Sequence, residues 1–392
     1  MEQVVATYYV ESKLPVKEAA KKICEECSTG TWTEVTTTTK RVEEKYSANV
    51  VSVNKNIARV GIPIEDFEPG NIAQLLSVVA GNVFGLKEIE NLRLLDIDLP
   101  GEVVKSYKGP KYGIEGIRNI VGVKNRPLIG TIVKPKIGLE PAEYSKVVYE
   151  AAMGGVDLVK MDETLTDQNF CRIEENVSWV MDVLDKVKQA TGRKVLFAVN
   201  ITTRQDELVE RAEKVLELGA NCLMLDIVCS GLSSIQILRD ADVSVPIYCH
   251  RAGHAAFTRS DKHGIRWGVY CKLARMLGAD VLHCGTIVGK MHGKEKEVLE
   301  DYHALRDDWF FFNQTMPAAS GGLHPGLVQD LTKYLGNDFI MNFGGGIHGH
   351  PQGTRAGATA AVQALDAVKQ SISLKEYAKS HEELRLALEK WK

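Results

Sequence analysis

From about residue 126 onward, short apolar runs alternate with longer amphipathic stretches. The runs stand at 128–133, 156–159, 195–199, 222–227, 245–249, 281–283, 314–318 and 339–343. Consecutive apolar positions over so few residues predict strands buried on both faces, as in a parallel sheet. Between them, apolar residues recur three and four apart over 141–153, 172–189, 207–218, 232–240, 265–277, 295–305 and 325–335, and again over 354–370. That period predicts helices. Eight strands, each followed by a helix, in roughly 250 residues is the count of a (β/α)8 TIM barrel. An open doubly wound sheet is the alternative, and eight units fit the closed form better. The charged tail 374–392 predicts a surface helix.

The first 110 or so residues lack this rhythm. Alternation at 4–10 predicts a strand, and Val16, Ala19, Ala20 and Ile23 predict a helix over 15–26. Strands follow at 50–53 and 57–62, joined at Asn54-Lys55-Asn56, and a second helix at 71–83. The pattern is that of a smaller α+β domain, 1–115, preceding the barrel, 116–392.

Composition narrows the class. The chain has 392 residues, 44% apolar and 25% charged, ordinary for a soluble globular protein. A net charge of −3 gives no basic field for nucleic acid. The longest apolar runs fall short of a membrane span. Met1-Glu2-Gln3 leads straight into the first strand, without a basic–apolar–small export signal, so a cytoplasmic location is expected. The eight cysteines are scattered, and Cys24-x-x-Cys27 has no second pair to make a zinc or redox site. Helix packing is the expected role of that pair.

The candidate chemistry centres on Gly154-Gly155-Val156-Asp157-Leu158-Val159-Lys160-Met161-Asp162-Glu163. The strand within it puts Lys160, Asp162 and Glu163 at its C-terminal end, where barrels bind ligands. Two neighbouring carboxylates suit a hard divalent cation. The lysine is the odd member, because an ammonium donates and cannot ligate a metal. The other strand ends are also polar or glycine-rich: Lys134-Pro135-Lys136, Asn200, Asp226, His250-Arg251, His283, Ser320-Gly321-Gly322 and Gly344-Gly345-Gly346. Singly, each reads as a turn or a packed polar residue; together they line one mouth. The glycine turns can take phosphate through backbone N–H groups, while Lys134, Arg251 and Lys290 suit a substrate with several negative charges. Lys136 and His250 can move protons if their surroundings lower their pKa values. The segment 285–290 has the glycines of a closing lid, with Lys290 at its tip.

These segments resemble the large chain of ribulose-1,5-bisphosphate carboxylase/oxygenase (RuBisCO), together with Glu26-Cys27-Ser28-Thr29-Gly30-Thr31-Trp32, Gly81-Asn82-Val83-Phe84-Gly85, His250-Arg251-Ala252 and Ser320-Gly321-Gly322-Leu323-His324. The resemblance covers nearly the whole chain and is nearest the archaeal, form III type, which serves nucleotide salvage and has no small subunit. It implies that Lys160 is carbamylated by CO2 and, as N6-carboxylysine, binds Mg²⁺ with Asp162 and Glu163. It implies Lys134 as the enolising base with Lys136 in support, and Lys290 as the residue that closes on the substrate. It gives His250, Arg251, His283 and Ser320 the sugar and one phosphate. Thr31, Trp32, Gly321, Gly322, Gly344 and Gly345 would hold phosphate oxygens. Glu26 and Asn82 would complete the neighbouring subunit's site, so a homodimer or an assembly of dimers is expected.

The sequence departs from the family pattern at Met161, Gly253, Met291-His292 and Ile347-His348. The implied reaction is Mg²⁺-dependent carboxylation of ribulose 1,5-bisphosphate to two 3-phosphoglycerates, with an oxygenase side reaction. The alternative is a RuBisCO-like enolase or isomerase of another sugar phosphate, such as a methylthioribulose phosphate. A non-catalytic binding barrel predicts a degraded metal set, which this chain does not have.

Overall fold

The computed structural model describes residues 2–31, 33, 35–288 and 294–391. Two compact units are present: Met1–Lys108 with Gly253–Met276, and Gly109–Ala252 with Leu277–Lys392.

The first unit is built on β1 (Gln3–Ser12), whose side chains alternate between half-buried and core-facing positions. Val4, Ala6, Tyr8 and Val10 are all fully buried. Alternation fixes the register, since a one-residue slip would turn this apolar set to solvent. β2 (Asn49–Asn54), β3 (Ile57–Pro63) and β4 (Ile89–Asp98) join it, and β10 (Gly264–Ile265) adds an edge, in the order β10-β4-β1-β3-β2. The helix Val16–Glu26 buries Ala19, Ala20, Ile23 and Cys24. Burial pushes the thiols of Cys24 and Cys27 up to about 12, so this pair packs rather than reacts.

The second unit is the expected barrel. Its strands are β5 (Leu128–Ile132), β6 (Leu158–Lys160), β7 (Leu196–Asn200), β8 (Cys222–Asp226), β9 (Ile247–His250), β11 (Val281–His283), β12 (Met316–Ser320) and β13 (Ile340–Phe343). They pair in parallel and close in the order β11-β12-β13-β5-β6-β7-β8-β9. The helices follow the predicted stretches to within a residue or two, except that 325–335 opens with a tight 3-10 turn before Val328–Leu335. The tail differs from a plain surface helix. Glu382–Lys390 buries Leu384 and Ala387, and Gln363 of the helix Thr354–Lys369 donates to Glu383 at 2.7 Å.

One end of the barrel is plugged. The helix Gly113–Val121 contributes Ile114, Ile117 and Val121 to a cluster containing Leu128, Leu158, Leu196, Cys222, Val281, Met316 and Ile340. Those seven residues begin or nearly begin their strands, so the plug closes the N-terminal end. Each large aliphatic side chain buried there contributes roughly 1.5–3 kcal/mol relative to exposure. Polar groups at that end are satisfied as well. Asp280 is fully buried and accepts from the N–H groups of Tyr112, Gly113 and Ile247 and from Arg239. With that end closed, ligand access is left to the C-terminal mouth. Among the described residues, no helix is long and apolar enough to cross a membrane.

Candidate active site

The mouth gathers the chemistry. β6 delivers Lys160, fully buried, as its last residue. Its Nζ donates to the Met161 carbonyl at 2.8 Å and lies 3.5 Å from Glu163 Oε2. Burial pulls the Lys160 pKa down, against the opposing pull of Glu163, Asp162 and Asp226; the balance lies below the ordinary value. A lowered pKa favours the neutral amine, the form with a lone pair to react. Met161, one of the departures from the family pattern, is fully buried and turned to the other side of the chain. Its sulfur accepts from Asn200 N–H at 3.4 Å, so it takes no part in the polar face.

Asp162 faces two cations. Lys134 Nζ is 2.9 Å from its Oδ2 and Lys136 Nζ is 3.8 Å from its Oδ1. Thr164 adds N–H and hydroxyl donors at 3.2 and 2.8 Å. Burial raises the Asp162 pKa, but these donors outweigh it and hold the carboxyl below its ordinary value. Asn200, closing β7, donates to the backbone carbonyls of Asp162 and Glu163, both at 3.2 Å, and so fixes the turn that carries them.

β8 and β9 add an acid and an imidazole. His250 Nδ1 lies 3.1 Å from Asp226 Oδ1 and Nε2 lies 3.8 Å from Glu163 Oε2. The Ala252 N–H also points at Nδ1, at 3.2 Å. Nδ1 has a single lone pair or a single hydrogen to offer, so it either accepts from Ala252 or donates to Asp226. Burial, moderated by Lys160 and reinforced by Glu163 and Asp162, raises the Asp226 pKa to about 7. The His283 ring lies 4.4 Å from that of His250, and Asn342 holds its Nε2 at 3.3 Å.

The glycine turns are shaped by close approach. Gly321 and Gly322 have φ of +115° and +75°, values an L side chain resists. A methyl on Gly346 would stand 2.0 Å from the Leu323 carbonyl, so the turns after β12 and β13 interlock only through glycine. A methyl on Gly344 would lie 3.6 Å from Lys134 Cε, which places that lysine's stem over the turn.

Lys134, Lys136, Lys160, Asp162, Glu163 and His250 are thus brought into one connected group, with His283 beside it. Arg251, Ser320, Gly321, Gly322, Gly344 and Gly345 occupy strand ends of the same mouth. Glu26, Thr31 and Asn82 belong to the first unit: Glu26 half-buried at a helix end, Thr31 and Asn82 exposed. Trp32 and Lys290 lie outside the described residues, as do Met291 and His292. The stem of the expected lid is described to Val288; Tyr302, itself buried, bonds the Gly285 carbonyl at 3.2 Å.

Four further residues contribute without a role assigned from the sequence: Asp226, Asn200, Asn342 and His348. Asp226 and Asn200 stood at strand ends and were visible as such. Asn342 and His348 carried no pattern of their own.

The residues fit a magnesium ion. Asp162 and Glu163 offer two hard oxygen donors, and a carbamate on the depressed-pKa amine of Lys160 would add a third. Asp226 stands close enough to Glu163 and Asp162 that both push its pKa up, so three carboxylates share this pocket.

The sequence matches two family profiles: "Ribulose bisphosphate carboxylase large chain, N-terminal domain" over residues 1–103 and the "catalytic domain" of the same chain over 113–391. The ribulose bisphosphate carboxylase of Pyrococcus furiosus is 43% identical over 396 residues, spanning 100% of this chain and 94% of that one. The octameric Rubisco of Pyrococcus horikoshii superposes with a TM-score of 0.95 at 41% identity, covering 99% of this chain and 93% of that one. The dimeric archaeal Rubisco of Hyperthermus butylicus gives 0.91 at 37%, covering 100% and 96%. A rubisco-like protein from Burkholderia fungorum gives 0.90 at 29%, covering 99% of each chain. Identity at this level over the full length, carried by both domains in order, places the chain in the ribulose bisphosphate carboxylase large chain family.

Proposed function

We propose that this protein carboxylates ribulose 1,5-bisphosphate with CO2 and water to give two molecules of 3-phosphoglycerate, with oxygenation as a side reaction. The observation that carries the reading is the fully buried Lys160 amine, 3.5 Å from Glu163, in a group where Lys134 also holds Asp162 at 2.9 Å.

Activation comes first. The neutral Lys160 amine attacks the carbon of CO2; an N–C bond forms, one C=O pair moves to oxygen, and the nitrogen loses a proton. The resulting carbamate, Asp162 and Glu163 would hold Mg²⁺. When bound, the ion supplies Lewis acidity toward the oxygens of the sugar. Lys134 takes the proton from the sugar carbon next to the carbonyl and later returns one to the product carbanion. Lys136, which shares Asp162 with Lys134, adds positive charge toward the anionic substrate. His250, Arg251, His283 and Ser320 orient the sugar and one phosphate. Backbone N–H groups of Gly321, Gly322, Gly344 and Gly345 take phosphate oxygens. Lys290 supplies charge to the carboxylate formed from CO2.

The assembly follows from the first unit's role. Glu26, Thr31, Trp32 and Asn82 are assigned to the site of a neighbouring subunit, which makes a homodimer the smallest active unit. The octameric and dimeric relatives support assembly from dimers, and no small subunit is proposed. Eight free cysteines suit a reducing, cytoplasmic setting, and nucleotide salvage is the proposed pathway.

The test is direct. Purified protein incubated with labelled CO2, Mg²⁺ and ribulose bisphosphate should yield labelled phosphoglycerate. Turnover of a methylthioribulose phosphate with none of the bisphosphate would replace this reading by an enolase or isomerase. Turnover of neither would leave a binding barrel.

A further inference from the structure

We propose that His348 is a positioning residue: it ties the strand end that carries Lys134 to the glycine turn after β13. The inference rests on Lys134 being the base of the proposed reaction. One imidazole reaches three elements. Its Nε2 lies 3.0 Å from Thr131 Oγ1 on β5, and its Nδ1 lies 3.1 Å from Thr354 Oγ1, the first residue of the helix Thr354–Lys369. His348 itself ends the short helix Gly345–His348 that grows out of the glycine turn.

The hydrogen bonds fix the tautomer. Thr131 spends its one hydroxyl proton on the Phe343 carbonyl, at 2.9 Å. Toward His348 it can only accept, so Nε2 carries the hydrogen. Nδ1 then accepts from the Thr354 hydroxyl. Burial, with a counter-pull from the Ile132 carbonyl and a further push from Lys134, lowers the imidazole to about 4, so the ring stays neutral. A neutral bridge adds no positive charge beside Lys134.

The geometry gives the bridge its purpose. β5 and β13 are paired in register, Thr131 against Phe343. The ladder stops at that pair, with Lys134 two residues beyond the end of β5 and the turn 344–346 directly after β13. Lys134 must nonetheless stay over Gly344, and His348 is a side-chain tether spanning the two segments after the backbone ladder ends. Base and phosphate turn are thereby held at one spacing, which sets where the sugar carbon lies relative to Lys134.

Three variants test this: His348→Leu, His348→Gln and Thr131→Val. His348→Leu should lower kcat/KM for ribulose bisphosphate about ten- to a hundredfold, the cost of a misplaced reacting group. His348→Gln keeps a terminal N–H for Thr131 and should recover most of that loss. Thr131→Val should match His348→Leu, and the double variant should be no worse than either, because both break one tether. In ligand-free protein, backbone amides of 344–350 should exchange faster in His348→Leu than in the parent. Activity within twofold of the parent, multiplicative losses in the double variant, or unchanged exchange would overturn the proposal. If the parent itself does not turn over the bisphosphate, the function fails, while the exchange measurement still decides the tether.

Discussion

Replacing Asp226 with asparagine probes the charge balance beneath the site. Asp226 is 4% exposed and shares its surroundings with Asp162 and Glu163. Burial lifts its pKa from the ordinary 3.8 to about 7, with Lys160 pulling down and Glu163 and Asp162 pushing up. An unfolded chain gives up this proton near 3.8, whereas the folded chain keeps it until about 7. Between those values the folded state binds more protons, so stability falls as pH rises. The stabilisation is fully present below the lower value and gone above the upper one. The gap corresponds to about 4 kcal/mol, and sharing of the proton within the cluster reduces it to about 2–4 kcal/mol. Asparagine keeps the neutral shape and does not titrate. In chelator-treated, CO2-free protein at fixed concentration, urea unfolding from pH 5 to 8 should show the parent losing about 1–2.5 kcal/mol relative to Asp226→Asn, the rest of the loss falling below pH 5. Added Mg²⁺ and bicarbonate should narrow the difference, because a nearby cation favours the ionised carboxyl. Two stability curves that run parallel across this range would refute the reasoning.

Other perturbations have equally definite outcomes. Lys160→Met should abolish trapping of labelled CO2 on the protein and all Mg²⁺-dependent turnover; retained trapping would move the carbamate elsewhere. Lys290→Ala should remove carboxylation while sparing proton exchange on the sugar, and equal loss of both would contradict the lid assignment. Arg126→Leu strips Asp157 of two bonds, at 2.6 and 2.9 Å, and leaves a 3%-exposed carboxylate with the Ile129 N–H. It should cost about 2–4 kcal/mol in chemical denaturation, less than a fully buried pair because Arg126 reaches solvent. Gly346→Ala, whose methyl would meet the Leu323 carbonyl at 2.0 Å, should raise KM for the bisphosphate more than it lowers kcat. An unchanged KM would mean that the turn does not hold phosphate.

The barrel was legible because parallel strands covered on both faces read as unbroken apolar runs. Their ends were legible because the polar residues begin where the runs stop. β4 escaped notice: its ten residues mix buried and half-buried positions, and its pairing to β1 is broken by two register shifts. Asn342 was invisible for another reason. Its partner His283 lies 59 residues away, and an asparagine within an apolar strand carries no periodic sign. His348 was noted only as a departure from the family pattern, since its partners Thr131 and Thr354 meet it only once the barrel closes. The two-residue strand β10 is too short for any alternation to reveal, and so was the association of 253–276 with the first unit.

That association has a consequence for biosynthesis. Leaving the ribosome, residues 1–108 emerge without the segment that supplies β10, and the flank of β4 at Arg93 and Leu94 stays unpaired until residue 265 has been made. During that interval the nascent chain carries an open sheet edge, the kind of surface that recruits other strands. Slowing translation between codons 108 and 265 should therefore increase insoluble product without altering a single contact of the finished molecule.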